Sequence, residues 1–205
     1  MREEPGLPTR AGRIVEVEAY GGPDDRASHA RAGRTPRTAL MFGPAGLAYV
    51  YLVYGMHNCL NVVSGLAGDA GAVLIRAVEP LEGLDAMYEA RVAASSSRSR
   101  GKPGRADPSD ALARGPADAV LASGPGRLCA AFGVNRAFNG SDLCAGTSPL
   151  RLERARPGAR PPVPAWTTRV GVDHAGEPWS SLPWRLIDRA SGSLSGSASR
   201  NAPSG

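Results

Sequence analysis

Residues 14–20, Ile-Val-Glu-Val-Glu-Ala-Tyr, alternate without a break. Val15, Val17 and Ala19 face one way and Glu16, Glu18 and Tyr20 the other, the period of two that marks a half-buried strand. Its second face is acidic. Residues 72–78 read as another strand, apolar except for Arg76. A guanidinium on a core strand is costly unless a carboxylate meets it, so Glu18 or Glu16 is its natural partner if the two strands are neighbours. Such a pair reads equally as a structural ion pair, because perturbed pairs are only enriched at active sites.

Around these strands the pattern is mixed. Residues 48–54 and 59–64 are β-branched and aromatic runs joined by Gly55-Met56-His57-Asn58, a hairpin signal. Glu79-Pro80 is expected to open a helix in which Leu81, Leu84, Tyr88 and Val92 recur at helical spacing. A second helix is predicted near Ser123, with Pro125 in its first turn and Leu128, Ala131 and Phe132 facing inward. Strands near 168–172 and 184–187 complete the set. Strands and helices intersperse without a βαβ rhythm, which favours an α+β fold. A chain of 205 residues suits one domain. With 26 glycines and 18 prolines it is loop-rich. Three stretches are expected to be unstructured: the start at 1–11, an internal basic insertion at 93–117 carrying Arg98, Arg100, Lys102 and Arg105, and the tail at 191–205.

Several classes are excluded. The apolar run 46–56 is eleven residues long with three tyrosines, about half of the ~20 that a membrane span needs, and the polar first ten residues do not read as a signal peptide. No membrane partner is expected. Cys59, Cys129 and Cys144 form no C-x-x-C pair, which argues against a disulfide framework, a zinc site or any other metal, and for a cytoplasmic location. Lys and Arg number 24 against 19 acids, for a net charge of +5, and Lys102 is the sole lysine. An Arg-rich basic domain is compatible with a phosphate-bearing partner.

Four features could carry chemistry. The loop 26–37 holds Arg26, Arg31, Arg34, Arg37 and His29 with no acid; it could line phosphates with forked contacts or be a solvated surface. Taken alone, His29 reads as a hydrogen-bonded structural histidine. Tyr49 and Tyr51 share a strand face, whereas Tyr54 points the other way at the turn, where an exposed aromatic calls for a partner or is chance. Asn61, polar in an apolar return strand, can donate and accept and suits a base edge, or it is ordinary strand packing. Ser123-Gly124-Pro125-Gly126-Arg127 offers free N–H groups to an anion but is equally a capped turn. Walker A, Rossmann and zinc-deaminase patterns are absent.

In combination and in this order the segments are specific. Arg-Ile-Val-Glu-Val-Glu-Ala-Tyr at 13–20, Ser-His at 28–29, Arg-Thr-Pro-Arg at 34–37, Tyr-Val-Tyr-Leu-Val-Tyr-Gly-Met-His at 49–57, Asn61, Leu-Ile-Arg-Ala-Val-Glu-Pro-Leu-Glu-Gly at 74–83, Ser-Gly-Pro at 123–125 and Arg-Val-Gly-Val at 169–172 resemble the alkyladenine (3-methyladenine) DNA glycosylase family. The likeness runs from about 12 to 188, interrupted by the insertion.

The resemblance implies a single α+β domain over 12–190, with a curved, mainly antiparallel sheet, surrounding helices and a β-hairpin that enters the DNA minor groove. It implies a monofunctional enzyme of base excision repair, a monomer without cofactor, associated with the bacterial nucleoid. Its substrate would be double-stranded DNA carrying alkylated or deaminated purines, hydrolysed at the N-glycosidic bond after the nucleotide is flipped out. Carried over by position, Glu18 is the general base. Arg76 and the backbone carbonyl of Val170 hold the attacking water, Tyr20, His29 and Tyr51 wall the base pocket, and Asn61 guards it against unmodified guanine. Tyr54 wedges into the gap, and Met56, Arg31, Arg34, Thr35, Arg37, Ser123 and Gly124 meet the DNA. A catalytically silent damaged-DNA binder is the alternative; it would not need Glu18. A free-nucleoside hydrolase would not need Tyr54 or the basic loop. With no lysine near these motifs, a Schiff-base lyase step is not expected. The family normally has a helix and a strand ahead of Arg13, so either the start is misassigned or one sheet edge is bare.

Overall fold

In a computed structural model of the chain, residues 1–99 and 117–196 are described. The two strands singled out by the sequence are neighbours: β2 (Leu7–Tyr20) runs antiparallel to β5 (Ala72–Glu82), with Val17 opposite Ile75 and Glu18 opposite Leu74. Beyond β5 lie β4 (His57–Val63) and β3 (Ala48–Val53); beyond β2 lie β7 (Arg185–Asp188) and β6 (Pro164–Thr167). The order is β3-β4-β5-β2-β7-β6, with β1 (Arg2–Glu4) paired to the start of β2, and every pairing is antiparallel. Register shifts on either side of Glu16 put bulges into the central pair, which bend a sheet at that point. Among the described residues three α-helices accompany the sheet: α1 (Leu84–Ser99), α2 (Ala117–Val120) and α3 (Pro125–Ala131).

The main core is built where α1 and α3 pack on the sheet. Met87 from α1 and Leu128, Cys129 and Ala131 from α3 meet Leu60, Ile75 and Val78, and Val17 packs against the same cluster. A smaller cluster of Ala30, Met41, Tyr49, Val63 and Ala72 lies beneath the loop that carries His29. That loop is therefore anchored by apolar contacts while its arginines remain outside. Glu16 and Glu18 are both buried, so the acidic face of β2 is covered; on the other face Ala19 is exposed.

Several expectations are corrected. Residues 79–82 continue β5 and do not open a helix, because β2 supplies pairing partners as far as Ala11 opposite Glu82. Pro80 is tolerated at a register shift, where a missing N–H costs least. The helix starts only after Gly83, whose φ of +75° turns the chain and where any Cβ would run into the Thr9 carbonyl. Tyr88 then packs on the core, whereas Leu81 and Val92 are exposed. Residues 93–99, expected in the unstructured insertion, continue α1, since glycine and proline begin only at Gly101. The remainder of that insertion, Lys102 and Arg105 included, lies outside the described residues. The expected flexible start at 1–11 forms β1 and the first part of β2, held by Arg2 opposite Arg10 and by Glu3 N–H on the Pro149 carbonyl. The expected tail is packed as far as residue 195, with Ser191, Ser193 and Ser195 buried. Residues 168–172 form a turn through Gly171, while β7 falls where a strand at 184–187 was predicted.

Among the described residues no helix is long and apolar enough to cross a membrane. A cavity of about 710 Å³ opens between β2, β5, α3 and residues 150–160. None of Glu18, Tyr20, His29, Tyr51 or Arg76 lines it.

Candidate active site

The covered face of β2 presents Glu16 and Glu18, β5 presents Arg76, and the turn after β6 brings up Val170. Glu18 is fully buried. Its Oε2 accepts from the Tyr20 hydroxyl at 2.8 Å and from Arg76 Nη1 at 3.2 Å, and its Oε1 from the Val170 N–H at 2.7 Å. Arg76 also donates through Nε to Glu16 at 2.7 Å, so it meets both candidate partners at once. Burial works against the Arg76 charge, but Glu18 and then Glu16 outweigh it and hold the guanidinium above its ordinary range. Burial alone would raise the Glu16 carboxyl; Arg76, the Ser195 amide and Arg185 outweigh that and keep it below the usual carboxylate range. Burial, followed by the charge and hydrogen bond of Glu18, pushes the Tyr20 phenol well up, which keeps it a neutral donor.

An aromatic wall stands beside this carboxylate. Tyr49 and Tyr51 project from one face of β3, 5.4 Å apart between ring centroids. His29 meets Tyr51 edge-on at 4.5 Å, and its Nδ1 lies 3.0 Å from the Tyr49 hydroxyl. Arg37 Nη2 lies 3.5 Å from His29 Nε2; because a guanidinium only donates, Nε2 accepts and Nδ1–H donates to Tyr49. Burial, with Arg37 and Arg31 adding to it, pushes the imidazole down to about 4, so it is neutral at pH 7. Tyr51 is pushed up by burial and then by the neighbouring Cys59, whose own thiol burial pushes up to about 11. Glu18 adds a smaller push in the same direction to Tyr51. Asn61, opposite Tyr49 across the hairpin, is buried and donates through Nδ2 to the Tyr49 carbonyl at 3.0 Å.

The structure thus brings Glu18, Tyr20, His29, Tyr51, Asn61, Arg76 and Val170 into one region. The contact it records for Val170 is the amide on Glu18. Tyr54 stands apart at the hairpin tip, 88% exposed, with Met56 exposed beside it. Tyr54 and Gly55 take φ of +50° and +70°, and Met56 N–H closes onto the Val53 carbonyl at 3.0 Å, the pattern of a mirror-image hairpin turn. Arg31, Arg34 and Arg37 are exposed on the loop. Thr35 faces inward to Thr38, 2.9 Å between hydroxyl oxygens. Ser123 is buried and donates to the Leu194 carbonyl at 2.8 Å, so its hydroxyl is committed inside the fold; Gly124 caps α3 with φ of +107°.

Sequence reasoning missed the supports behind the site. Arg169 forks onto Asp25 at 2.6 and 3.0 Å and lies between the Tyr20 and Trp184 rings, 4.9 and 5.0 Å from their centroids. It fixes both the ring of Tyr20 and the turn that delivers the Val170 amide. Arg185 donates to Glu16 at 2.8 Å, and Ser195 reaches the same carboxylate from the tail. Arg185 had one local signal, a charge inside a predicted strand; Ser195 had none.

Comparison with known proteins identifies the family. Residues 1–192 match the family model described as methylpurine-DNA glycosylase. The chain is 46% identical over 190 residues to a putative 3-methyladenine DNA glycosylase of Myxococcus xanthus, covering 92% of this chain and 78% of the relative. It is 43% identical to a protein of the same description from Methanocella arvoryzae, over 87% of this chain and 76% of the relative. It is 42% identical to the human DNA-3-methyladenine glycosylase, over 93% of this chain and 59% of the human protein. With the family matched across almost its whole length, the chain belongs to the methylpurine-DNA glycosylases and is a hydrolase of the DNA glycosylase type.

Proposed function

We propose that this glycosylase releases alkylated or deaminated purines from nucleotides flipped out of duplex DNA, by direct hydrolysis of the N-glycosidic bond. The observation that carries the reading is the fully buried Glu18 carboxylate, aimed by Tyr20, Arg76 and Val170 beside the Tyr20, His29 and Tyr51 wall. In the reaction a water oxygen bonds to the anomeric carbon, its proton passes to Glu18, and the electrons of the C–N bond leave with the base. Arg76 and the Val170 carbonyl hold the water. Alkylation at a ring nitrogen makes the purine cationic and a good leaving group, and aromatic faces favour a cation by about 0.5–2 kcal/mol each. A neutral His29 lets such a base enter without charge repulsion, and Asn61 limits entry of unmodified guanine.

The hairpin is the element proposed to enter the minor groove. Unstacking a nucleotide costs about a few kcal/mol, partly returned when Tyr54, with Met56 beside it, fills the gap. Arg31, Arg34 and Arg37 are placed to meet phosphates, with Thr35 and the Ser123-Gly124 backbone as further contacts. The protein would act as a monomer at the nucleoid.

Glu18→Gln tests the assignment, since the amide keeps the shape and removes the base. Excision is expected to vanish in a hot-alkali strand-cleavage assay, while affinity for lesion duplex stays within about threefold, because stacking and phosphate contacts are untouched. Binding that falls in parallel with activity would make Glu18 a structural partner of Arg76 and favour a binding module.

A further inference from the structure

The hydroxyl of Ser195 takes no part in the reaction just described, yet it sits where the charges of the site meet. Arg76 gives each of its three nitrogens to a different acceptor: Nε to Glu16 at 2.7 Å, Nη1 to Glu18 at 3.2 Å and Nη2 to Ser195 Oγ at 3.2 Å. Ser195 in turn donates twice to Glu16, through Oγ–H at 2.7 Å and through its backbone N–H at 2.6 Å. Ser195, Glu16 and Arg76 are all buried, so no bulk water competes for these positions.

A guanidinium facing a carboxylate prefers a forked contact through two nitrogens. Glu18 shows why a fork would be harmful here. A carboxylate offers about four acceptor positions, and Tyr20, Arg76 and Val170 fill three of them, two on Oε2 and one on Oε1. The remaining position, on Oε1, is the one open to a proton from water. If Arg76 swung to fork onto Glu18, Nη2 would occupy it. With Nη2 held by Ser195 and Nε by Glu16, the guanidinium is kept to a single contact.

We propose that Ser195 is a positioning residue for N-glycosidic hydrolysis, dividing Arg76 between Glu16 and Glu18 so that Glu18 Oε1 stays available to the attacking water. The inference rests on reading Glu18 as the general base. Arg185 supports the same division by adding a third donor, at 2.8 Å, to Glu16 Oε1.

The test compares single-turnover excision under saturating enzyme, affinity for duplex carrying a tetrahydrofuran abasic site, and melting temperature. Ser195→Ala is expected to slow excision by about tenfold, the scale of a hydrogen bond to a charged group. Affinity for the abasic duplex should stay within about twofold, since binding is not what Ser195 serves. Ser195→Thr, which keeps the hydroxyl, recovers the rate. Placed on Arg76→Gln, Ser195→Ala adds little further loss, because it acts through Arg76. An unaltered rate in Ser195→Ala, whatever its melting temperature, overturns the proposal, and so does a loss that persists in full on Arg76→Gln. Should Ser195→Ala fail to fold, Ser195→Cys keeps the shape, lacks the strong donor and carries the same comparison. Excision surviving in Glu18→Gln sinks the general-base reading itself; an inactive Glu18→Gln beside a fully active Ser195→Ala sinks only the role of Ser195.

Discussion

His29 ties the proposed base site to the acid sensitivity of the fold. Its imidazole is pushed down to about 4 by burial and then by Arg37 and Arg31, from an ordinary 6.5. In the unfolded chain the ring takes a proton near pH 6.5, whereas in the folded protein it refuses one until about pH 4. The unfolded state therefore binds more protons between these values, and stability rises with pH across that window. The contribution is complete above about 6.5 and drains away as pH falls toward 4. Melting curves recorded across this range should lose part of their slope in His29→Ala, and an identical slope would assign the acid sensitivity to other groups. The same variant should discriminate lesions less well if His29 walls the base site as proposed.

The hairpin β3–β4 was legible because alternation and tyrosine spacing are local, and its tip carries a backbone strain that the proposed wedge role would account for. Tyr54 is held at φ of +50°, where a side chain clashes with its own backbone, at about 1–2 kcal/mol relative to glycine. Tyr54→Gly should raise the melting temperature slightly while weakening affinity for lesion duplex by about 1–3 kcal/mol, the scale of one aromatic stack. Single-stranded substrate should be affected much less, and equal losses on both would remove the wedge role. Glu18 and Arg76 were legible for a related reason: a period of two and one charge in an apolar run are patterns that a short window contains. The Asp25–Arg169 pair spans 144 positions and Ser195 reaches Glu16 across 179, so neither leaves a local trace. Residues 1–11 and 191–195 looked unstructured because proline, serine and glycine carry no periodicity, and their order comes from partners far along the chain. Pro80 misled in the opposite sense: it is a fair helix opener, but pairing with β2 prevailed.

At the scale of the whole molecule the excess of arginine gives a field that draws in nucleic acid without reading it. With Arg31, Arg34 and Arg37 exposed on one loop, changing each to Gln should reduce the slope of log affinity against log salt by about 0.9 for every phosphate that the loop no longer neutralises. Damaged and undamaged duplex should respond alike, as titrations at several salt concentrations would show. An unchanged slope in all three would make the loop a solvated surface and move the phosphate-binding groups elsewhere on the protein. The support behind the proposed general base comes late in the chain. The loop and the hairpin are complete by Val63, whereas Glu16 receives two of its donors only from Ser195. During synthesis the loop and the hairpin, proposed to meet DNA, leave the ribosome well before Ser195, proposed to set Arg76 against Glu18. On that reading a chain ending short of residue 191 lacks the three contacts that Ser195 makes with Arg76 and Glu16, and would excise more slowly than the full chain.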